Sequence, residues 1–127
     1  MPSPSTVFPG VLTNDAITKL LGGPLVPLSV SGAIDPHTGQ RYMITKSTAI
    51  AAMTIAAPTA GADDGLNIQV VSSTAFAHTV TFTGGTMIDG AGHTASATFP
   101  AAGGGCLDLI AYNGKWYVLN SQNITFA

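Results

Sequence analysis

Cys106, Asp108 and a histidine, either His78 or His93, supply the residue types of a thiol nucleophile with its base and an orienting carboxylate. Their setting does not activate them. Cys106 opens a predicted strand behind a glycine-rich loop, away from any helix N-terminus or cationic cluster that lowers a thiol pKa, so it reads as a small, partly buried core thiol. Asp63 and Asp64 have the types for paired-carboxylate glycoside chemistry, but with Gly65 following they read as a turn. Asp35, His37, His78 and His93 are metal-ligating types without ligand spacing. Three chains can also bring one histidine each to a threefold axis, and nothing in the sequence selects for that. Gly103-Gly104-Gly105 lacks the lysine and Ser/Thr of a phosphate-binding loop. The expectation is a protein without a catalytic site, a metal or a cofactor.

Composition excludes other classes. Charged residues make up 8% of the 127-residue chain, against about 25% in ordinary soluble proteins, and glutamate is absent. Lys19, Arg41, Lys46 and Lys115 are scattered, whereas nucleic-acid binding needs clustered cations to displace counterions. The mean hydropathy is positive. Its most apolar run, residues 49–57, stops at Pro58, well short of the roughly 20 residues of a spanning helix. The first ten residues have neither the basic nor the apolar region of a signal peptide. A single cysteine excludes an internal disulfide and fits synthesis in a reducing cytoplasm. Neither a nucleic acid nor a membrane is expected as a partner.

The elements that must position these residues divide near residue 41. Six of the eight prolines precede it, so residues 1–41 read as an extended arm. One short helix fits over 14–21, capped by Thr13 or Asn14 and ended by Gly22-Gly23. It is too short to be stable alone, so its face of Ile17, Leu20 and Leu21 needs a docking surface. With Phe8, Val11, Leu12, Leu25, Val26 and Leu28, the arm is too apolar for a disordered tail. It reads as a strap across a neighbour.

Residues 42–127 alternate with period two. Strands are predicted over 42–46, 49–55, 66–72, 77–83 and 95–99, with turns and loops at 57–65, 84–92 and 100–105. Ile68 and Val70 oppose Asn67 and Gln69, and His78, Val80 and Phe82 oppose Thr79, Thr81 and Thr83. Strands so regularly spaced predict an all-β fold, an antiparallel sandwich or barrel, with the Pro-rich arm appended.

The chain then closes with a hairpin that can be read pair by pair. Asn113-Gly114 suits a two-residue type I′ turn, in which both positions need positive φ. That turn pairs Tyr112 with Lys115, Ala111 with Trp116, Ile110 with Tyr117, Leu109 with Val118 and Asp108 with Leu119. One face, Leu107, Leu109, Trp116 and Val118, is a core face. The other, Ile110, Tyr112, Tyr117 and Leu119, is too apolar to leave in water. Either other copies of the chain or its own N-terminal arm must cover it.

Residues 56–72, the run Ala77-His-Thr-Val-Thr-Phe82 and the hairpin tip Ala111-Tyr-Asn-Gly-Lys-Trp-Tyr-Val118 resemble small virion proteins of tailed bacteriophages. These are the capsid decoration proteins (cement or head-fibre proteins) and related tail-fibre modules. The resemblance covers roughly residues 42–127 and rests mainly on turn and hairpin chemistry. It implies a homotrimeric β-domain on the outer surface of the capsid, stabilising the shell between capsomers. The major capsid protein would be the partner, gripped by the arm. The alternative it leaves open is a tail-fibre or receptor-binding module, with Tyr112, Trp116 and Tyr117 stacking on sugar rings.

Overall fold

The computed structural model describes residues 25–127, and among these there is no helix. Eleven strands follow one another: β1 (Leu25–Leu28), β2 (Gly32–Ala33), β3 (Arg41–Ile44), β4 (Ala52–Ile55), β5 (Asn67–Ser72), β6 (Thr79–Phe82), β7 (Met87–Ile88), β8 (Ser96–Thr98), β9 (Cys106–Tyr112), β10 (Lys115–Gln122) and β11 (Thr125–Phe126). They form a six-stranded sheet in the order β1-β3-β5-β9-β10-β7 and a five-stranded sheet in the order β11-β8-β6-β4-β2. The fold is all-β, as the period-two pattern requires.

The sheets are mixed, and this corrects the antiparallel expectation. β1, β3 and β5 run parallel in one sheet, and β2, β4 and β6 run parallel in the other. From β1 to β9 the chain changes sheet at every step. Parallel neighbours need a crossover, which is usually a helix; here a strand of the opposite sheet serves. The antiparallel pairings gather toward the C-terminus, at β5–β9, β9–β10, β6–β8 and β8–β11.

Alternation decides which side chains go inward. Tyr42 and Ile44 of β3, Ile68 and Val70 of β5, and Leu107, Leu109 and Ala111 of β9 are buried in one cluster with Met53 and Ile55 of β4 and Val80 and Phe82 of β6. The two sheets thus share a single core. Trp116 is fully buried in it and donates from Nε1 to the Ala56 carbonyl at 2.9 Å, tying the hairpin to the exit of β4. Gly105 marks a tight approach. With φ at 84°, a Cβ there would meet Pro100 Cδ at 2.8 Å, so only glycine fits.

The β-structure starts earlier than the division expected near residue 41. Leu25–Leu28 pairs with β3, Gly32–Ala33 pairs with β4, and Ile34 is in the core. Of the apolar residues assigned to the arm, Val26 and Leu28 pack against the core, while Leu25 is 59% exposed. Phe8, Val11, Leu12, Ile17, Leu20, Leu21 and the helix expected over 14–21 lie outside the described residues.

The terminal hairpin forms as expected around its turn. Asn113 and Gly114 have φ of 49° and 79°, and the four pairs from Tyr112–Lys115 to Leu109–Val118 are those predicted. The fifth is not. A bulge between Val118 and Asn120 leaves Leu119 as the extra residue and sets Asp108 opposite Asn120.

Candidate functional site

The outward face of the six-stranded sheet carries an apolar patch beside a polar groove. In the patch, Tyr112 and Leu119 are each 59% exposed, and Ile110 and Tyr117 are half-buried. The Tyr112 and Tyr117 rings are 6.3 Å apart and tilted by 53°. Ile88 of β7 lies opposite Tyr117 and extends the same row. Of the four predicted interface residues, Ile110, Tyr112 and Tyr117 therefore share the outward face of the β9–β10 hairpin, and Leu119, the unpaired residue of the bulge, is exposed on the same strand pair. The predicted core face is also largely inward, with Leu107, Leu109 and Trp116 buried and Val118 packed against the core.

The burial of Trp116 removes one member of the aromatic trio considered for sugar stacking. A ring that is 0% exposed and hydrogen-bonded to the backbone offers no face to a ligand. The tilt between the remaining two tyrosines also denies them a common plane.

The groove was not anticipated. Its cavity, about 250 Å³, is lined by Gln40, Arg41, Asn67, Gln69 and Asp108. Strand register builds it. Arg41 is opposite Gln69, and Gln69 is opposite Asp108, so one polar row crosses β3, β5 and β9. The outward alternation of Asn67 and Gln69 was visible in the sequence, but their neighbours were not.

At the hairpin tip, the loop over 57–65 is held by its two aspartates. Asp63 accepts from Thr59 N at 2.8 Å, and Asp64 accepts from Gly61 N at 3.1 Å and from Asn113 N at 2.8 Å. Asp64 thus fastens the loop to the hairpin turn, and Gly65 N adds a bond to the Ala111 carbonyl. His37 reaches into the same cluster, with Nε2 2.9 Å from Asp63 and Nδ1 3.2 Å from Asp35. Only the imidazolium donates from both nitrogens. The bonds to Asp63 and Asp35 accordingly hold the His37 pKa above its ordinary value. The Asp63 pKa is lowered, first by His37 and then by Thr59 N, while that of Asp35 is lowered first by the backbone N–H of His37.

His78 behaves in the opposite way. It is 0% exposed, and Nδ1 accepts from Ala51 N at 2.9 Å. Thr74 Oγ1 gives its hydrogen to the Lys46 carbonyl, so His78 Nε2 must donate to Thr74 Oγ1 at 2.7 Å. The ring is a neutral, fully satisfied structural group. Burial, with Lys46 adding repulsion, lowers its pKa. His93 bonds Asp89 at 2.7 Å, so the three histidines occupy separate settings. Among the described residues, no three His, Cys or Asp side chains converge as a metal site.

Cys106 is half-buried on the outward side of β9, opposite Val71 and Gln122, and not in the core as expected. Burial pushes its thiol pKa up, and Asp108 raises it further. The thiol is therefore a poor nucleophile at neutral pH. His78, with both nitrogens committed, is not available as its base.

These settings give a pH prediction. Proton NMR titration will show the His37 midpoint above, and the His78 midpoint below, the ordinary value of about 6.5. The stabilisation from His37 is complete below that value and is lost as pH rises through its raised folded pKa. The contribution of His78 is complete above about 6.5 and is lost as pH falls. The lowered carboxylates of Asp35 and Asp63 add stability that disappears only under acid conditions. A His78 midpoint at or above the ordinary value would contradict its reading as a buried, neutral ring.

No protein-family model matches the sequence, and comparison with curated proteins found no match.

Proposed function

We propose that this chain is a structural virion protein, a homotrimeric cement protein on the outer surface of a tailed-phage capsid. The observation that carries the reading is the apolar hairpin patch of Ile110, Tyr112, Tyr117 and Leu119, half-buried to exposed at the C-terminal hairpin. The described residues leave this patch half-buried to exposed, and a threefold cluster of copies would cover it. The two sheets act as a rigid sandwich, and the segment before Leu25 is the docking arm for the major capsid protein.

Cementing needs no turnover. The protein binds where capsomers meet and opposes their separation under the pressure of the packed genome. Apolar contact and strand pairing suit the task because they depend less on salt than surface ion pairs do. Three arms per trimer make detachment a concerted loss of contacts. The alternative is a receptor-binding fibre module. Copy number separates the two, since a cement protein is present in hundreds per particle and a fibre in far fewer.

The direct test uses capsids of the encoding phage stripped of this protein. The full chain is expected to rebind and to raise the temperature at which the shells open. A variant lacking residues 1–24 retains every described strand and is expected to stay trimeric yet fail to bind. Normal rebinding by that variant would refute the role of the arm.

A further inference from the structure

We propose that the groove lined by Gln40, Arg41, Asn67, Gln69 and Asp108 is a binding site for a neutral saccharide, with room for one hexose ring. The inference stands on the groove alone and does not require the trimer.

The first argument is composition against position. The chain has only four Lys or Arg residues and six acidic ones, yet one of each sign faces outward on a single row of one sheet. Arg41 and Asp108 stand two strand spacings apart, about 9–10 Å, with Gln69 between them. Among the described residues they form no ion pair with each other. Three carboxamides complete the lining. Such a row sets the two charged residues on separate strands at a fixed backbone spacing.

The second argument is chemical matching. A carboxamide both donates and accepts, as a sugar hydroxyl does. Asn67 already commits its amide nitrogen to the Leu109 carbonyl at 2.8 Å, which fixes its side chain and leaves the amide oxygen to accept. The Asp108 carboxylate can accept from two neighbouring hydroxyls, and the Arg41 guanidinium can donate to two. The charges cancel, so an anionic ligand gains at Arg41 and loses at Asp108, and a cation does the reverse. A neutral polyol satisfies both. The cavity of about 250 Å³ is below the roughly 300–1,000 Å³ of drug-sized pockets and fits a single ring.

The flanks agree. Along the strands, the next outward row on one side carries Met43, Val71, Cys106 and Gln122, and on the other Asn67, Ile110 and Tyr117. Each flank therefore offers apolar side chains, Met43 and Val71 on one and Ile110 and Tyr117 on the other, to the C–H groups of a ring seated on the polar floor. A phosphate would gain from Arg41 alone and be repelled by Asp108, so this lining favours it less than a neutral polyol.

The test is a titration of the full-length protein followed by backbone amide NMR. The probes are the methyl glycosides of glucose, galactose and mannose, with glucuronate and inorganic phosphate as charged controls, each to about 100 mM. At least one neutral glycoside is expected to shift the amides of Gln40, Arg41, Asn67, Gln69 and Asp108, with weak affinity on the order of millimolar. Asp108→Asn and Gln69→Ala should each weaken it about tenfold or more. Arg41→Lys, which keeps the charge and loses the planar fork, should weaken it while leaving the spectrum of the fold intact. Sedimentation of these variants should show unchanged mass, so loss of sugar binding is distinguishable from loss of assembly. Absence of a groove response to all three glycosides, a stronger response to phosphate, or shifts confined to the Tyr112–Tyr117 patch would each overturn the assignment.

Discussion

Trp116→Ala is expected to remove a large share of the folding free energy. The indole is fully buried where both sheets meet, and removing a buried aromatic side chain costs about 3–5 kcal/mol. Loss of the Nε1 bond strips the Ala56 carbonyl of its partner and adds about 1 kcal/mol or more. A domain of this size has a total stability of about 5–15 kcal/mol, so the substitution removes much of it. Urea unfolding followed by far-ultraviolet circular dichroism measures the loss. Trp116→Phe keeps most of the packing and isolates the hydrogen bond, and its midpoint should lie between the other two. A Trp116→Ala protein within 1 kcal/mol of the parent would show that the hairpin is not anchored through this residue.

For the proposed trimer, Tyr117→Asp combined with Leu119→Asp is expected to yield a folded monomer. Neither side chain belongs to the buried core, so the subunit keeps its fold. In the assembled state, each carboxylate would be desolvated among Ile110, Tyr112 and their symmetry mates, at a cost of several kcal/mol per charge. Aromatic anchors at the centre of an interface each contribute about 2 kcal/mol or more, so losing Tyr117 removes affinity as well. Sedimentation equilibrium of parent and variant at micromolar concentration reads the result. A parent that sediments as a monomer, or a double variant that remains trimeric, would remove the basis for the cement assignment.

The Asn113-Gly114 turn, the four hairpin pairs that follow from it and the inward faces of β5, β6 and β9 were legible from residue types alone. Turn chemistry acts over two residues, and alternation acts along one strand, so neither needs a distant partner. The bulge at Leu119 escaped because nothing in the local composition marks it. Strands β1 and β2 escaped because they lie in the proline-rich segment read as an arm, and β7 and β11 because two residues carry too little pattern. Short loops between predicted strands looked like hairpins and were in fact passages to the other sheet.

The same division holds for the sites. The outer hairpin patch was readable because its four apolar residues lie on two strands joined by one turn. The groove was not, because Arg41, Gln69 and Asp108 come from three strands separated by dozens of residues. The Asp63-Asp64 pair was correctly a turn, but its ties to His37 and Asn113 bridge distant segments. By itself the sequence determined an all-β chain with one apolar ribbon too many, since period and polarity are local properties of the backbone. Only the tertiary structure decided which strands are neighbours and whether they run parallel, because register is chosen by the shared core. That choice set an arginine, a glutamine and an aspartate side by side on one face.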